Sequence, residues 1–253
     1  QLLSFQGEVV SLTSHHSGGV RGNTGATINI YLIKMFMHNI TLICTRHEEA
    51  GKCNSNELYK IIENINPEII FEEIPPSFFD KYYKHKTHKN LEADAINKYL
   101  ETHKIEHIPV DSDDIPSESF FLDHINMHRR IDGLIDVNGF DFRTLTDRNK
   151  NYIETYGFEY LNSDSSTHLN DLLANAIEGG LKQLNNEKLF KTNELWKAVH
   201  EKRENIMLQN IYKYSEDHEY DKAIFTIGAG HRKSMMQKIY ERKEKLKLNW
   251  ILW

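Results

Sequence analysis

Two apolar runs in this chain end on a histidine, each at a place where a strand would give way to a helix. The first is Ile40 to His47, ITLICTRH; the second is Lys222 to His231, KAIFTIGAGH. In the second, Ala223 to Ile227 read as a buried strand, and Gly228-Ala229-Gly230 as the sharp turn that ends it. Between the two in sequence, Glu68 to Ile74, EIIFEEI, reads as another strand with two carboxylates, Glu72 and Glu73, at its carboxyl end. Charge on an otherwise apolar strand is a local conflict of the kind enriched at functional sites. Side-chain alternation sends Glu72 and Glu73 to opposite faces, so at most one of them reaches a given neighbour.

Two imidazoles and a carboxylate, His47, His231 and Glu73, are a ligand set for a catalytic divalent ion, Zn or Mn, that keeps one position open for water. Without metal, the same three could serve as a water-activating base with its electrostatic partners. The plainer alternative is that each histidine caps a helix or bonds nearby backbone, but recurrence at equivalent strand ends favours a site. Arg203, in a helix just before the second histidine strand, could hold an anion or a developing oxyanion. It could equally lie on a solvated face, since Glu201 to Glu204 are four consecutive charges. His124 and His128 stand at i and i+4 on a predicted helix and could share a metal. Ile125 occupies the place of the Glu in an HExxH site.

The elements needed to position these residues follow from periodicity. A strand over Asn39 to Arg46 leads through a polar loop to a helix over Asn56 to Ile65 with Ser55 as its cap, then to the EIIFEEI strand. Pro75-Pro76 precedes a short aromatic helix, Phe78 to Tyr83, and an amphipathic helix over Leu91 to His103 precedes a third strand, Ile105 to Val110. That strand stops at Asp111-Ser112-Asp113-Asp114, a third polar cluster at a strand's carboxyl end. A largely helical stretch follows, with Gly179-Gly180 expected to end or bend one helix. Next comes a helix over Asn193 to Tyr214 with Leu195, Trp196, Val199, Ile206, Met207 and Ile211 at core positions. The histidine strand, a helix over Lys233 to Leu246 and a last strand, Asn249 to Trp253, complete the order. The expected fold is α/β, with a mixed, largely parallel central sheet flanked by helices and a helical insertion at about 117–192. Ligands of such sheets bind outside the strands' carboxyl ends.

Residues 1–36 look like a non-core extension, with loop-like SHHSGG and GNTG stretches, and residues 37–253 like a single domain. Met35 or Met37 would suit a natural start. The net charge of −6 is spread without a basic patch, which argues against nucleic acid as a partner, and no apolar window is long enough to span a bilayer. Two cysteines, Cys44 and Cys53, are too few for a disulfide framework, and Cys44 reads as a small buried hydrophobe in a cytoplasmic protein. Gly228-Ala229-Gly230 lacks the third glycine of a dinucleotide loop and has no Walker lysine-serine arrangement, and no GxSxG elbow occurs.

Four short motifs, in order, resemble the TraB/Tiki group and its relatives, the ChaN-like proteins and erythromycin esterases. They are Cys44-Thr45-Arg46-His47, Pro67 to Ile74, Lys202-Arg203-Glu204-Asn205, and Gly228 to His231. Cys44 stands where that group usually has glycine, and Glu204 intrudes between the arginine and the asparagine. The resemblance implies that His47, Glu73, Arg203 and His231 converge on one pocket, with Glu73 rather than Glu72 as the carboxylate. It also implies a hydrolase, either metal-dependent and peptidase-like or metal-independent and esterase-like, acting on a small molecule or a peptide. The alternative is a non-catalytic protein that holds a metal, a haem-like ligand or an anion in the same pocket. A homo-oligomer is compatible with the sequence, as is a subunit docked through Phe78, Phe79, Tyr82 and Tyr83.

Overall fold

The computed structural model describes residues 38–134, 142–242 and 248–253. The extension read over residues 1–36 lies outside the described residues. Five strands, β1 (His38–Thr45), β2 (Ile69–Glu72), β3 (Glu106–Pro109), β4 (Lys222–Gly228) and β5 (Leu248–Leu252), form one sheet in the order β3-β2-β4-β1-β5. Every pairing is parallel, so the sheet expected to be largely parallel with some mixing is parallel throughout the described residues. The register sets Thr45 against Gly228 and Glu72 against Thr226, which levels the carboxyl ends of β1, β2 and β4.

The helices are α1 (Ser55–Ile65), α2 (Pro76–Tyr83), α3 (Leu91–Leu100), α4 (Glu118–Asp132), α5 (Phe142–Tyr156), α6 (Phe158–Leu161), α7 (Asp164–Leu184), α8 (Glu187–Asp217) and α9 (Arg232–Arg242). Alternation along the strands divides the core in two. Ile40, Leu42, Phe71, Phe225 and Ile227 pack against Met207, Leu208 and Ile211 of α8 and Met235 and Ile239 of α9. Ile43, Ile70 and Ile224 point the other way, onto Leu58 and Ile62 of α1, Ala95, Ile96 and Tyr99 of α3, and the α5–α7 helices. A third cluster, Met127, Ile131, Leu181 and Leu189, joins α4, α7 and α8.

Several local expectations shift. Asn54, not Ser55, caps α1, its side chain accepting from the Glu57 N–H at 3.1 Å. The Gly179-Gly180 pair does not end its helix, which runs on to Leu184 and stops at Asn185 in the left-handed region. A Cβ on Gly180 would sit 2.8 Å from Ile131 Cγ2, so this glycine serves the close approach of α4 to α7. The long helix α8 begins at Glu187, so the boundary expected near residue 192 falls inside it, and Leu195, expected in the core, is exposed. Cys44 is buried on β1 and its thiol is pushed up to about 12 by that burial, which fits the inert reading.

Among the described residues, no helix is long and apolar enough to cross a membrane.

Candidate active site at the carboxyl rim of the sheet

Because β4 lies between β2 and β1, the chain leaves three adjacent strands with Glu73, the Gly228 turn and His47 side by side, and Asp111 follows from β3. Glu73 sits at the centre. Its Oε2 accepts from the Gly228 N–H at 2.6 Å, and its Oε1 accepts from Arg203 Nη2 at 2.6 Å and lies 3.3 Å from His231 Nε2. Burial raises the pKa of this carboxyl, but the hydrogen bond and charge of His231 and the charge of Arg203 hold it well below the usual range. Glu72, as alternation requires, turns away and is buried between the Tyr83 hydroxyl and His107.

Arg203 reaches the rim from α8. Its Nε and Nη2 fork onto Asp111, with Nη2 2.7 Å from Oδ2, while Nη2 also donates to Glu73. Such bidentate pairing fixes a guanidinium plane as a lysine could not. Arg203 is therefore a buried-side linker of two carboxylates, not a member of a solvated charge run. Its Nη1 makes no hydrogen bond among the described residues.

His231 lies in a short 3-10 turn, Ala229–His231, between β4 and α9, and is 4% exposed. Its Nδ1 donates to Glu204 Oε1 at 2.7 Å, and Glu73 stands at its other nitrogen. Burial lowers the imidazolium's pKa, but the Glu204 and Glu73 carboxylates outweigh it and push the group up to about 9. Glu204 is itself buried and accepts from Ser234 Oγ at 2.5 Å, with Lys238 Nζ at 3.4 Å. The His200 ring stacks on His231 with centroids 4.6 Å apart. Burial and the charge of His231 keep His200 down at about 4, hence neutral.

His47 is separate from this buried cluster. Its Nδ1 lies 3.3 Å from Glu92 Oε1, and its side chain is 58% exposed. The Glu92 pairing pushes the imidazolium up to about 9, an effect that solvent screens at this exposure. Glu92, in the first turn of α3, is buried, accepts from Thr45 Oγ1 at 2.6 Å, and has an Oε2 without a protein partner among the described residues.

His47, Glu73, Arg203 and His200 line one cavity of about 430 Å³, with Phe78, Tyr82, Phe121 and Trp196 among its apolar wall. His231 stands behind that wall, in contact with Glu73. The structure thus brings Glu73, Arg203 and His231 into direct contact and leaves His47 facing them across the cavity.

This donor set does not suit a bound cation. Both nitrogens of His231 face carboxylates, so the ring has no lone pair to offer, and both oxygens of Glu73 already accept hydrogen bonds. Among the described residues, no three His, Cys, Asp or Glu side chains are placed to hold a metal ion. The ligand set His47, Glu73 and His231 expected for Zn or Mn therefore does not assemble.

Four partners escaped the sequence reading: Asp111, Glu204, Glu92 and His200. Asp111 belongs to the polar cluster at the end of the third strand, and Glu204 interrupts the third motif between the arginine and the asparagine.

No family model matches the chain, and no curated protein matches it. Among solved structures, the chain is similar to an erythromycin esterase, a mutant of EreC in its open conformation. The match has 14% identity and a TM-score of 0.36, and covers 83% of this chain and 68% of that one.

Proposed function

We propose that the chain is a hydrolase of the TraB/Tiki-like type that activates water without metal, with His47 as the general base. The observation that carries this reading is the His47–Glu92 pair: an exposed imidazole at a cavity wall whose inner nitrogen faces a buried carboxylate. Glu92 fixes the tautomer that keeps the proton on Nδ1, leaving Nε2 with its lone pair toward the cavity. Water held there loses a proton to Nε2 as it adds to the carbonyl carbon of an ester or peptide. The same proton then passes from Nε2 to the leaving group. Arg203 Nη1 is the donor for the developing oxyanion, and Asp111 and Glu73 hold its plane. His231, clamped between Glu204 and Glu73, positions Glu73 and does not touch substrate. The four-motif resemblance groups the same four residues, His47, Glu73, Arg203 and His231, at one pocket.

A second reading has its own support: a protonated His47, Arg203 and Lys89 line one cavity and would suit a carboxylate-bearing ligand held without turnover. One experiment separates the two. Activated esters and short peptides are assayed with and without chelator, with the wild-type chain and with His47→Asn and Glu92→Gln. Hydrolysis that resists chelator, falls roughly 100-fold or more in His47→Asn, and rises with pH toward about 9 supports the base assignment. In Glu92→Gln the pH limb should move down. Activity unchanged by His47→Asn, or none above buffer, would remove the proposal and leave the binding reading.

A further inference from the structure

We propose that His124 and His128 form a separate binding site for one divalent transition ion of the zinc, copper or nickel class, at the contact between α4 and α8. The two residues are one helical turn apart on α4, and their Nε2 atoms stand 3.1 Å apart. Nitrogens bound at about 2.1 Å to one ion lie about 3.0 Å apart at a right angle and about 3.4 Å apart at a tetrahedral angle. The observed separation falls between these, so an ion can be bridged with little movement of either ring.

The rings are also held in place, as ligating imidazoles usually are. His124 stacks on Trp196 of α8 with centroids 3.7 Å apart and planes within 13°, and His128 meets the edge of Phe142 at 5.4 Å. Burial lowers the pKa of both rings, which keeps their ligating neutral form. In the metal-free chain one Nε2–H donates to the other Nε2. Binding requires only that this proton move to the ring's Nδ1, with no net change in charge. Neighbouring Asp123 is taken by Lys188 at 2.9 Å, and no third protein ligand stands by among the described residues. The site is therefore bidentate, with water completing the shell, and imidazole pairs of this kind favour copper over zinc.

This site is distinct from the catalytic rim but shares a wall with it. Trp196 lines the cavity together with Phe121, which lies one turn before His124 on α4. An ion on His124 thus sits directly behind the cavity's aromatic side.

The test uses the full chain carrying His15→Ala and His16→Ala, so that the adjacent histidine pair near the start does not compete. Cupric ion is titrated by calorimetry and by tryptophan emission. The expected result is one equivalent bound with a Kd below roughly 100 μM and quenched emission. His124→Gln and His128→Gln should each weaken binding at least tenfold with thermal melting unchanged. Trp196→Phe should keep the calorimetric binding and lose most of the quenching. Failure of the background protein to bind one equivalent at that strength overturns the proposal without reference to any site variant. An affinity in His124→Gln or His128→Gln equal to that of the background protein overturns it as well.

Discussion

Replacing Glu204 by Gln tests how the buried histidine of the rim is held, and the outcome depends on pH in a way set by the structure. Glu204 and Glu73 together carry the His231 pKa from 6.5 to about 9 against the pull of burial. At 1.36 kcal/mol per unit, that is roughly 3 kcal/mol of folding stability. Because the folded pKa is the raised one, this contribution is complete below about pH 6.5 and is lost as pH climbs through about 9. Glu204 makes the shorter contact, 2.7 Å against 3.3 Å, so the substitution should remove about half or more, ~2 kcal/mol, at pH 6. The Glu204 carboxyl is held below its ordinary pKa and does not titrate in this window. His47 titrates in the same range in both proteins and cancels in the comparison. Urea unfolding of the wild type and Glu204→Gln at pH 6, 7.5 and 9.5 should show a stability gap that narrows as pH rises. Some gap should remain at pH 9.5, because the Ser234 and Lys238 contacts to Glu204 are still disturbed. A gap equal at pH 6 and pH 9.5 would mean that His231 is not the imidazolium clamped between two carboxylates described above.

Arg203→Lys keeps the charge but loses the fork onto Asp111; stability should fall by about 2–3 kcal/mol and hydrolytic kcat by roughly 100-fold, measured by thermal melting and steady-state kinetics. A variant with unchanged kcat would show that the guanidinium geometry plays no part in the chemistry. Asn162→Ala removes the side chain that accepts from Cys44 N at 2.7 Å and donates to Cys44 O at 3.0 Å, on the side of β1 where β5 has ended. Leaving those buried backbone groups unpaired should cost about 2–3 kcal/mol, or a Tm lower by about 4–12 °C for a chain of this size; a shift under 1 °C would show that water takes the same place.

The strands and their polar ends were legible because a parallel sheet buried on both faces writes short apolar runs that stop abruptly. Glu73, His231 and His47 stood out for that reason. Strand order was not legible: nothing local in ITLICTRH or EIIFEEI says that β4 inserts between β1 and β2, although that insertion is what aligns the three ends. The direction of the last strand was equally hidden, since periodicity is the same for parallel and antiparallel partners. The ion pairing that disfavours a metal was hidden too. A histidine at a strand end reads as a ligand until the carboxylates that occupy its nitrogens are found on other elements.

Those carboxylates nevertheless left a trace that periodicity could have caught. In α8 the buried residues Glu204, Met207, Leu208 and Ile211 fall at i, i+3, i+4 and i+7, one apolar stripe with a charge in it. In α3, Glu92, Ala95, Ile96 and Tyr99 repeat the same spacing, all buried. Read by neighbours in sequence, Glu204 belongs to a run of surface charge and Glu92 to the acidic first turn that helix dipoles favour. Read by face, each is a carboxylate where the helix otherwise presents aliphatic and aromatic side chains to the core. Burying an unpaired carboxylate costs several kcal/mol, so a position of that kind requires a cationic or donor partner from another element. Two such positions imply two partners, and the chain supplies two histidines at adjacent strand ends, His231 for Glu204 and His47 for Glu92. The two pairs differ in one respect, and the proposed function rests on it. His231 is enclosed by a second carboxylate and buried, and the proposal therefore gives it a positioning role, whereas His47 has one carboxylate behind it and an open cavity in front, the arrangement that the proposed general base requires.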